Sequence, residues 1–401
     1  MNANCLIVQS GGPTAVINNS VVGLIDEMIF SGFKGKIYGS VGGIKGLIQE
    51  NFFELNKLNI HERNGLRWTP GAALGTCRYR LSESETIKIV EMLKRYHIHY
   101  FFYIGGNGSM KVAHMIYEVA NKMGYYLSVI GIPKSIDNDL LETDHSPGYG
   151  SAAKFLATSV LDMKMDVASY PHSNKVTIIE TMGRHTGWLA AACSLAIHED
   201  DDSQTLIYIP ESPFYIDDCI KKITEASKDN LSTFLIVAEG IKDENEQYIN
   251  RENMEYDVLN RPKLGGISSF LEKTINLRTG IQARSIVPSV WQRSSVLLSS
   301  KIDVKEAYII GKEAWKYAEK EYSGIMIGMD REYNDEGDYQ IFFSPRQLLK
   351  VAGKEKFVPK EWYDSQKNRM SKEFIHYVKP LIQGEMIIPM RNGLPNYQRV
   401  I

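Results

Sequence analysis

Apolar runs of strand length recur along the chain at Cys5–Gln9, Lys36–Val41, Tyr100–Ile104, Tyr126–Ile132, Lys175–Glu180, Thr205–Ile209, Phe234–Ala238 and Ala283–Val287. Between most of them lie stretches with helical periodicity, beginning near Ala15, Ser109, Ser151, Gly187, Asp217, Gly266 and Asp303. A further helix is expected through "SESETIKIVEMLKRYHI", where Ser82 and Glu85 stand in capping-box register. Strand and helix in turn predict βαβ units and a mostly parallel sheet. No internal repeat and no low-complexity tract interrupts the alternation. The charged stretch "GKEKFVPKEWYDSQKNRMSKEF" near the end breaks it and reads as an appendage packed on the α/β body.

Composition narrows the class. A chain of 401 residues suggests two domains, and 43% hydrophobic with 23% charged residues is ordinary for a soluble protein with a sizeable core. A formal net charge of −2 provides no global basic field for nucleic acid or an anionic membrane, so neither is expected as a partner. Cys5, Cys77, Cys193 and Cys219 show no C-x-x-C spacing, which argues against a zinc site or disulfide framework and for a reducing cytoplasm. The apolar stretch "WLAAACSLAI" is too short to span a bilayer. "MNANCLIVQSGG" lacks a basic n-region and a full apolar h-region, so no signal peptide is expected.

In α/β sheets of this kind ligands bind beyond the carboxyl ends of the strands, and unusual residues cluster there. "IVQSGGPTAVINNS" places Gly11 and Gly12 between a strand and a helix N-terminus, and "FFYIGGNGSM" repeats the device with Gly105, Gly106 and Gly108. Such loops let a backbone approach a ligand and offer free N–H groups to an anion. Neither is the dinucleotide G-x-G-x-x-G or the Walker pattern, which disfavours a dehydrogenase. "GIPKSIDNDL" packs Lys134, Asp137 and Asp139 at one strand end. "TMGRHTGWLA" offers Arg184, whose forked donors suit a phosphate or carboxylate, "FLIVAEG" ends in Glu239, and "QARSIVPSVWQR" carries Arg284 and Arg293. Arg278 and Arg331 read as solvated surface charges. His185 reads as a packing or hydrogen-bonding residue, since no second His stands at metal-ligand spacing.

Taken together, "SGGPTAVINN", "LGTCRYRL", "IGGNGS", "PKSIDNDL", "TDHSPGYGSAAK", "TMGRHTGWLA" and "VAEG" resemble the phosphofructokinase family of type A, in family order from about residue 5 to residue 240. "QARSIVPSVWQR" and "HYVKPLIQGE" extend the likeness more loosely. With "GGN" and the Lys of "PKSIDND", the chain is most similar to the bacterial pyrophosphate-dependent group. The resemblance implies two Rossmann-like, three-layer α/β domains with the active site in the cleft between them. One would comprise residues 1–148 and 294–345, the other 149–293 and 346–401 with the C-terminal appendage.

It also implies phosphoryl transfer to the 1-hydroxyl of fructose 6-phosphate, with Mg²⁺ as cofactor. Asp137 matches the family's base, and Lys134 would neutralise charge on the transferring group. Ser135 and Ile136 line the same element, with Ser135 where the family usually has Thr. Gly11, Arg78 and Gly108 resemble donor-phosphate contacts. Met182, Gly183 and Arg184 resemble the sugar-phosphate cradle, and Glu239 the carboxylate that takes hydrogen bonds from sugar hydroxyls. Arg284 and Arg293 resemble the arginines on the 6-phosphate, Arg284 reaching in from a neighbouring subunit of a homodimer or homotetramer. Asp139 would hold the metal shell or orient its neighbours. Asn107 stands where the family's metal-binding Asp is usual, and Val290 where many members have His or Tyr on the 6-phosphate. The donor signature is mixed: Gly108 leaves open the space of an ATP α-phosphate, whereas Lys134 is typical of pyrophosphate users. Pyrophosphate is the expected donor and ATP the alternative. A catalytically silent sugar-phosphate-binding paralogue is a further alternative, against which Asp137 is retained.

Overall fold

The computed structural model describes residues 3–170, 175–198, 202–250, 256 and 264–400. The chain forms two compact units: Met1–Ser151 with Arg293–Lys356 and Gln383–Ile401, and Ala152–Gln292 with Phe357–Ile382.

The first unit is built on strands β1 (Asn4–Gln9), β2 (Ile37–Ser40), β3 (Phe52–Glu54), β4 (Ile98–Gly105), β5 (Ser128–Pro133), β10 (Ile325–Tyr333) and β11 (Tyr339–Gln347). They form one sheet in the order β11-β10-β5-β4-β1-β2-β3. Pairing is parallel except for β2 with β3 and β10 with β11. The two-residue period of the strands sends side chains to two separate cores. Cys5, Ile7, Phe102, Ile104, Ile130 and Ile132 join one core with helices α1 (Ile17–Phe30) and α7 (Lys301–Glu319). Leu6, Val8, Phe101, Tyr103 and Val129 join the other with α2 (Glu83–Arg95) and α3 (Asn107–Lys122). This is the expected three-layer arrangement. The Ser82–Glu85 capping box starts α2, with Ser82 N to Glu85 Oε2 at 2.9 Å and Glu85 N to Ser82 Oγ at 3.3 Å.

The second unit carries β6 (Val176–Thr181), β7 (Ser203–Tyr208), β8 (Ser232–Ala238) and β9 (Ala283–Ile286) in the order β7-β8-β6-β9, all parallel. Helices α5 (Ile216–Lys228) and α6 (Ile267–Thr279) belong to this unit, while α4 (Tyr149–Ala168) begins in the first unit and continues into the second.

Three features differ from the sequence expectation. Residues 346–356 and 383–401 belong to the first unit rather than the second. Ile388 and Met386 pack with Ala15, Val16, Val296, Val304 and Ala307, and Gln398 N donates to Thr69 Oγ1 at 2.9 Å. The β10–β11 hairpin forms an antiparallel sheet edge in a stretch of the first domain for which no strand was expected. Arg331 is no solvated charge: its side chain is 10% exposed and its Nη2 meets Asp144 Oδ1 at 2.9 Å. Arg278 does lie at the surface, paired with Asp217 at 2.6 Å.

Helices α1 and α7 touch through glycines. A Cβ on Gly23 would overlap the Tyr308 carbonyl, and one on Gly311 would overlap the Ser20 carbonyl. Two backbones in contact cannot yield as a flexible side chain can. Gly23→Ala is therefore expected to force the helices apart and cost about 1–3 kcal/mol of unfolding free energy. Urea denaturation measures it, and an unchanged midpoint would show that the crossing is looser than described.

Candidate functional site

The polar turn after β5 is assembled around a buried ammonium. Lys134 is 3% exposed, and its Nζ donates to the Gly12 carbonyl at 2.8 Å. Its backbone N donates to Gly105 O at 3.0 Å, which joins the exits of β4 and β5. The first-strand loop must lie very close for this. A Cβ on Gly11, whose φ is +78°, would sit 3.1 Å from Lys134 Nζ, and one on Gly12 would sit 2.7 Å from Arg293 Nη1. Gly11 and Gly12 thus make room for two cationic side chains. Burial lowers the Lys134 pKa to about 8, while the charges of Asp137 and Asp139 oppose that fall and Arg293 adds to it.

The carboxylates are ordered by the turn itself. Ser135 Oγ donates to Asp139 Oδ1 at 2.7 Å and accepts from Asp137 N at 3.2 Å. Asn138 adopts φ 53°, a left-handed conformation that Asn tolerates, and its Oδ1 accepts from Ser146 N at 3.0 Å. Ile136 is 7% exposed, so the apolar interruption of this polar turn is a core anchor. Arg293 has a lowered pKa through burial and the nearby charge of Arg78, opposed by Asp137, which places these three groups in one electrostatic neighbourhood. Sequence reasoning assigned Arg293 to the second domain, but it begins a segment of the first unit. The loop carrying Arg78 is tied to the first by Thr76 Oγ1, which donates to Gly11 O at 2.9 Å.

At the β4 exit, Asn107 opens α3 and Gly106 precedes it as the cap. Asn107 Nδ2 donates to the Lys354 carbonyl, while its Oδ1 is buried with no hydrogen-bond partner. The backbone N of Lys356 donates to Asp139 O at 2.8 Å, so one short segment touches both oxygen-bearing residues. No atom lies within 4 Å of a Cβ built on Gly108. Among the described residues, no group of three or more His, Cys, Asp or Glu side chains gathers as a metal cage.

In the second unit the parallel pairing of β6 with β8 aligns Thr181 with Ala238, which sets Met182–Arg184 beside Glu239. Glu239 N donates to Thr181 O at 2.9 Å and Gly240 N to Gly183 O at 3.1 Å. Arg284 is not brought to this cluster. It pairs with Thr177 on β6, five residues before Met182, which is roughly 16 Å along a strand. Its Nη2 meets Asp166 Oδ2 at 3.2 Å instead. Val290 is 49% exposed.

Several supporting residues escaped the sequence reading. Gln292 accepts from Met182 N at 3.0 Å, and buried Glu180 caps α6 through Gly266 N at 3.0 Å and Ser268 N at 2.9 Å. Gln9 and Asn18 hold the loop before Arg78: Gln9 Nε2 donates to Asn18 Oδ1, and these side chains accept from Leu74 N and Ala73 N, each bond 2.9 Å long. An amide at the end of an apolar strand run, separated by one residue from a glycine pair, was the available signal for Gln9. The others emit none, because their partners are distant in sequence.

Glycine-rich strand exits, a helix N-terminus, a buried ammonium and two aspartates in a doubly wound α/β unit define a phosphate-handling α/β protein. The phosphofructokinase family profile matches residues 4–317, and the chain belongs to that family. It is 34% identical to a pyrophosphate--fructose 6-phosphate 1-phosphotransferase from Halomonas elongata, over 99% of this chain and 96% of the relative. The enzyme of the same name from Xanthomonas campestris is 35% identical with the same coverage. The crystal structure of a pyrophosphate-dependent phosphofructokinase from Nitrosospira multiformis superimposes with a TM-score of 0.90 at 32% identity, covering 100% of this chain and 96% of that one.

The depressed pKa of Lys134 has a stability signature. Between about 8 and the ordinary 10.5, the unfolded chain holds a proton that the folded chain has released. Stability contributed by this group therefore rises with pH across that window and is lost as pH falls through about 8. Relative to Lys134→Met, wild-type unfolding free energy is expected to climb over this range. A constant difference in chemical denaturation would return Lys134 to an ordinary pKa.

Proposed function

We infer that this chain transfers a phosphoryl group from pyrophosphate to the 1-hydroxyl of fructose 6-phosphate, giving fructose 1,6-bisphosphate and phosphate. The observation that carries this reading is Lys134, buried against Gly12 and within electrostatic reach of Asp137 and Asp139. A compact donor makes few contacts, so a preformed cation beside the transferring group has a large share of the stabilisation. The names of the similar proteins support the same donor.

Asp137 accepts the proton of the sugar 1-hydroxyl as that oxygen bonds to phosphorus, and the bond from phosphorus to the bridging oxygen breaks to release phosphate. Lys134, with Arg78, offsets negative charge on the transferring and leaving groups, and Arg293 takes the sugar 6-phosphate. Met182–Arg184 and Glu239 orient the sugar, and Gly11 and Gly108 let the donor approach the backbone. Magnesium belongs to this reading, and Asp139 with the orphaned Asn107 Oδ1 suits a hard cation that prefers oxygen. Bound with the donor, the ion would neutralise phosphate charge. A cytoplasmic location accords with the four free cysteines, and no described helix is long and apolar enough to cross a membrane.

ATP is the second reading, favoured by the open space at Gly108. Comparing kcat/KM for pyrophosphate and ATP with fructose 6-phosphate and Mg²⁺ decides it. Pyrophosphate is expected to win, and a larger value for ATP would reverse the donor. Asp137→Asn is expected to lower kcat at least about 100-fold with sugar-phosphate binding retained. Near-normal kcat would remove the base assignment.

The reading extends to a homo-oligomer in which Arg284 serves a neighbouring subunit. Arg284 lies on edge strand β9 beside Asp166, and Met165, Leu277 and Trp291 of the same unit are 67%, 87% and 70% exposed. Large apolar side chains left in water support a partner surface on this unit. Trp291→Glu is expected to dissociate the assembly in sedimentation experiments and to raise KM for the sugar phosphate together with Arg284→Ala. A monomeric wild-type enzyme with full activity would overturn this arrangement.

A further inference from the structure

The aspartate turn is closed on itself, and its far end carries a charge cluster that the chemistry above does not use. Ser135 N donates to Pro147 O at 3.2 Å, and Asn138 Oδ1 holds Ser146 N at 3.0 Å, so Asp137 lies between two residues tied to positions 146 and 147. The next residue back is His145, 1% exposed. Its Nδ1 meets Asp144 Oδ1 at 2.8 Å and its Nε2 meets Glu306 Oε2 at 2.7 Å. Carboxylates only accept, so both ring nitrogens donate and the ring is an imidazolium.

Every element around it contributes a charged or polar partner. From α7, Glu306 also accepts from Tyr339 Oη of β11 at 2.8 Å. From β10, Arg331 pairs with Asp144 at 2.9 Å and lies over the Tyr339 ring. Lys356 Nζ donates to the carbonyls of Thr143 at 3.2 Å and Asp144 at 2.6 Å. Asp303 holds Gly148 N at 2.8 Å and Ser151 N at 2.9 Å where the turn enters α4. His145 and Arg331 balance Asp144 and Glu306, so the quartet, buried at His145 and Glu306, is neutral only while the imidazole keeps its proton.

We propose that His145, clamped between Asp144 and Glu306, is a positioning residue that holds the turn bearing Asp137 and Asp139 in its working geometry. The proposal rests on the assignment of Asp137 as the base. His145 touches neither substrate; it acts through Ser146 and Pro147 on Asn138 and Ser135. Displacing a base by about 1 Å is enough to cost on the order of 100-fold in rate. While Asp144 and Glu306 are ionised the clamp is intact below the His145 pKa, and it is lost as pH rises through that pKa, which the two carboxylates raise to about 9 against the effect of burial.

The test uses His145→Gln and the milder Glu306→Gln, which keeps hydrogen-bonding groups but removes the charge that most favours the imidazolium. His145→Gln is expected to lower kcat per folded molecule about 10- to 100-fold while KM for pyrophosphate and fructose 6-phosphate stays within about threefold. In Glu306→Gln the His145 pKa moves down toward the ordinary value of about 6.5. Its kcat is then expected to fall as pH rises from that point toward about 8, a window in which wild type is level because Lys134 keeps its proton, and the double variant should lack this limb. A role confined to stability would lower the melting temperature of both variants yet leave the Glu306→Gln profile on that of wild type, and this outcome overturns the proposal. Should His145→Gln not fold, the Glu306→Gln profile decides alone. Asp137→Asn, run alongside, separates the two ideas: an active Asp137→Asn removes the base, whereas an inactive one beside fully active clamp variants removes the clamp.

Discussion

An ammonium taken out of water must be given oxygen atoms in return, and the architecture of the first unit follows from that demand at Lys134. The Gly12 carbonyl supplies one oxygen at 2.8 Å, and Asp137 and Asp139 supply opposing charge. To meet it, the exits of β1 and β5 must approach although β4 lies between them in the sheet. Only residues without a Cβ leave that room at positions 11 and 12. The glycine pair, the aspartate turn and Arg293 are therefore parts of one electrostatic arrangement.

That arrangement is held from behind by buried polar groups rather than by apolar packing alone. Gln9 and Asn18 fix the loop that leads to Arg78. The quartet of His145, Asp144, Glu306 and Arg331 fixes the far end of the aspartate turn. Polar networks of this kind are costly when half satisfied and rigid when complete. Rigidity is what phosphoryl transfer asks of a protein, since positioning and electrostatics make up most of its catalysis. The second unit applies the same strand-end logic more simply, with Met182–Arg184 and Glu239 set side by side by the parallel register of β6 and β8.

Much of this was legible along the chain. The strand runs were found to within a residue or two, because buried parallel strands are continuous apolar stretches. The site elements at Gly11, Lys134, Met182 and Glu239 were legible because each follows such a run directly. β10 and β11 were both missed: edge strand β11, with every residue part-exposed, carries no strong apolar signal, whereas β10 does have a buried apolar run at Ile325–Met329 that went unread. Arg331 was taken for a surface charge because nothing near it in sequence shows that Asp144 lies against it.

The sequence by itself determined the alternation of strands and helices, a mostly parallel sheet and the chemistry of each strand exit, because those depend on local periodicity and on residue type, while the three-layer architecture was implied by the family resemblance. Tertiary structure alone decided which exits meet. Lys134 reaches Gly12 across 122 positions and His145 reaches Glu306 across 161, and no local pattern encodes a pairing at that range. It also decided which unit holds Arg293 and the last residues of the chain, through packing of Ile388 and Met386 against Ala15 and Val16. The division follows from the range of the forces: backbone periodicity and turn chemistry act over a few residues, whereas burial of charge is settled only when distant segments close around it.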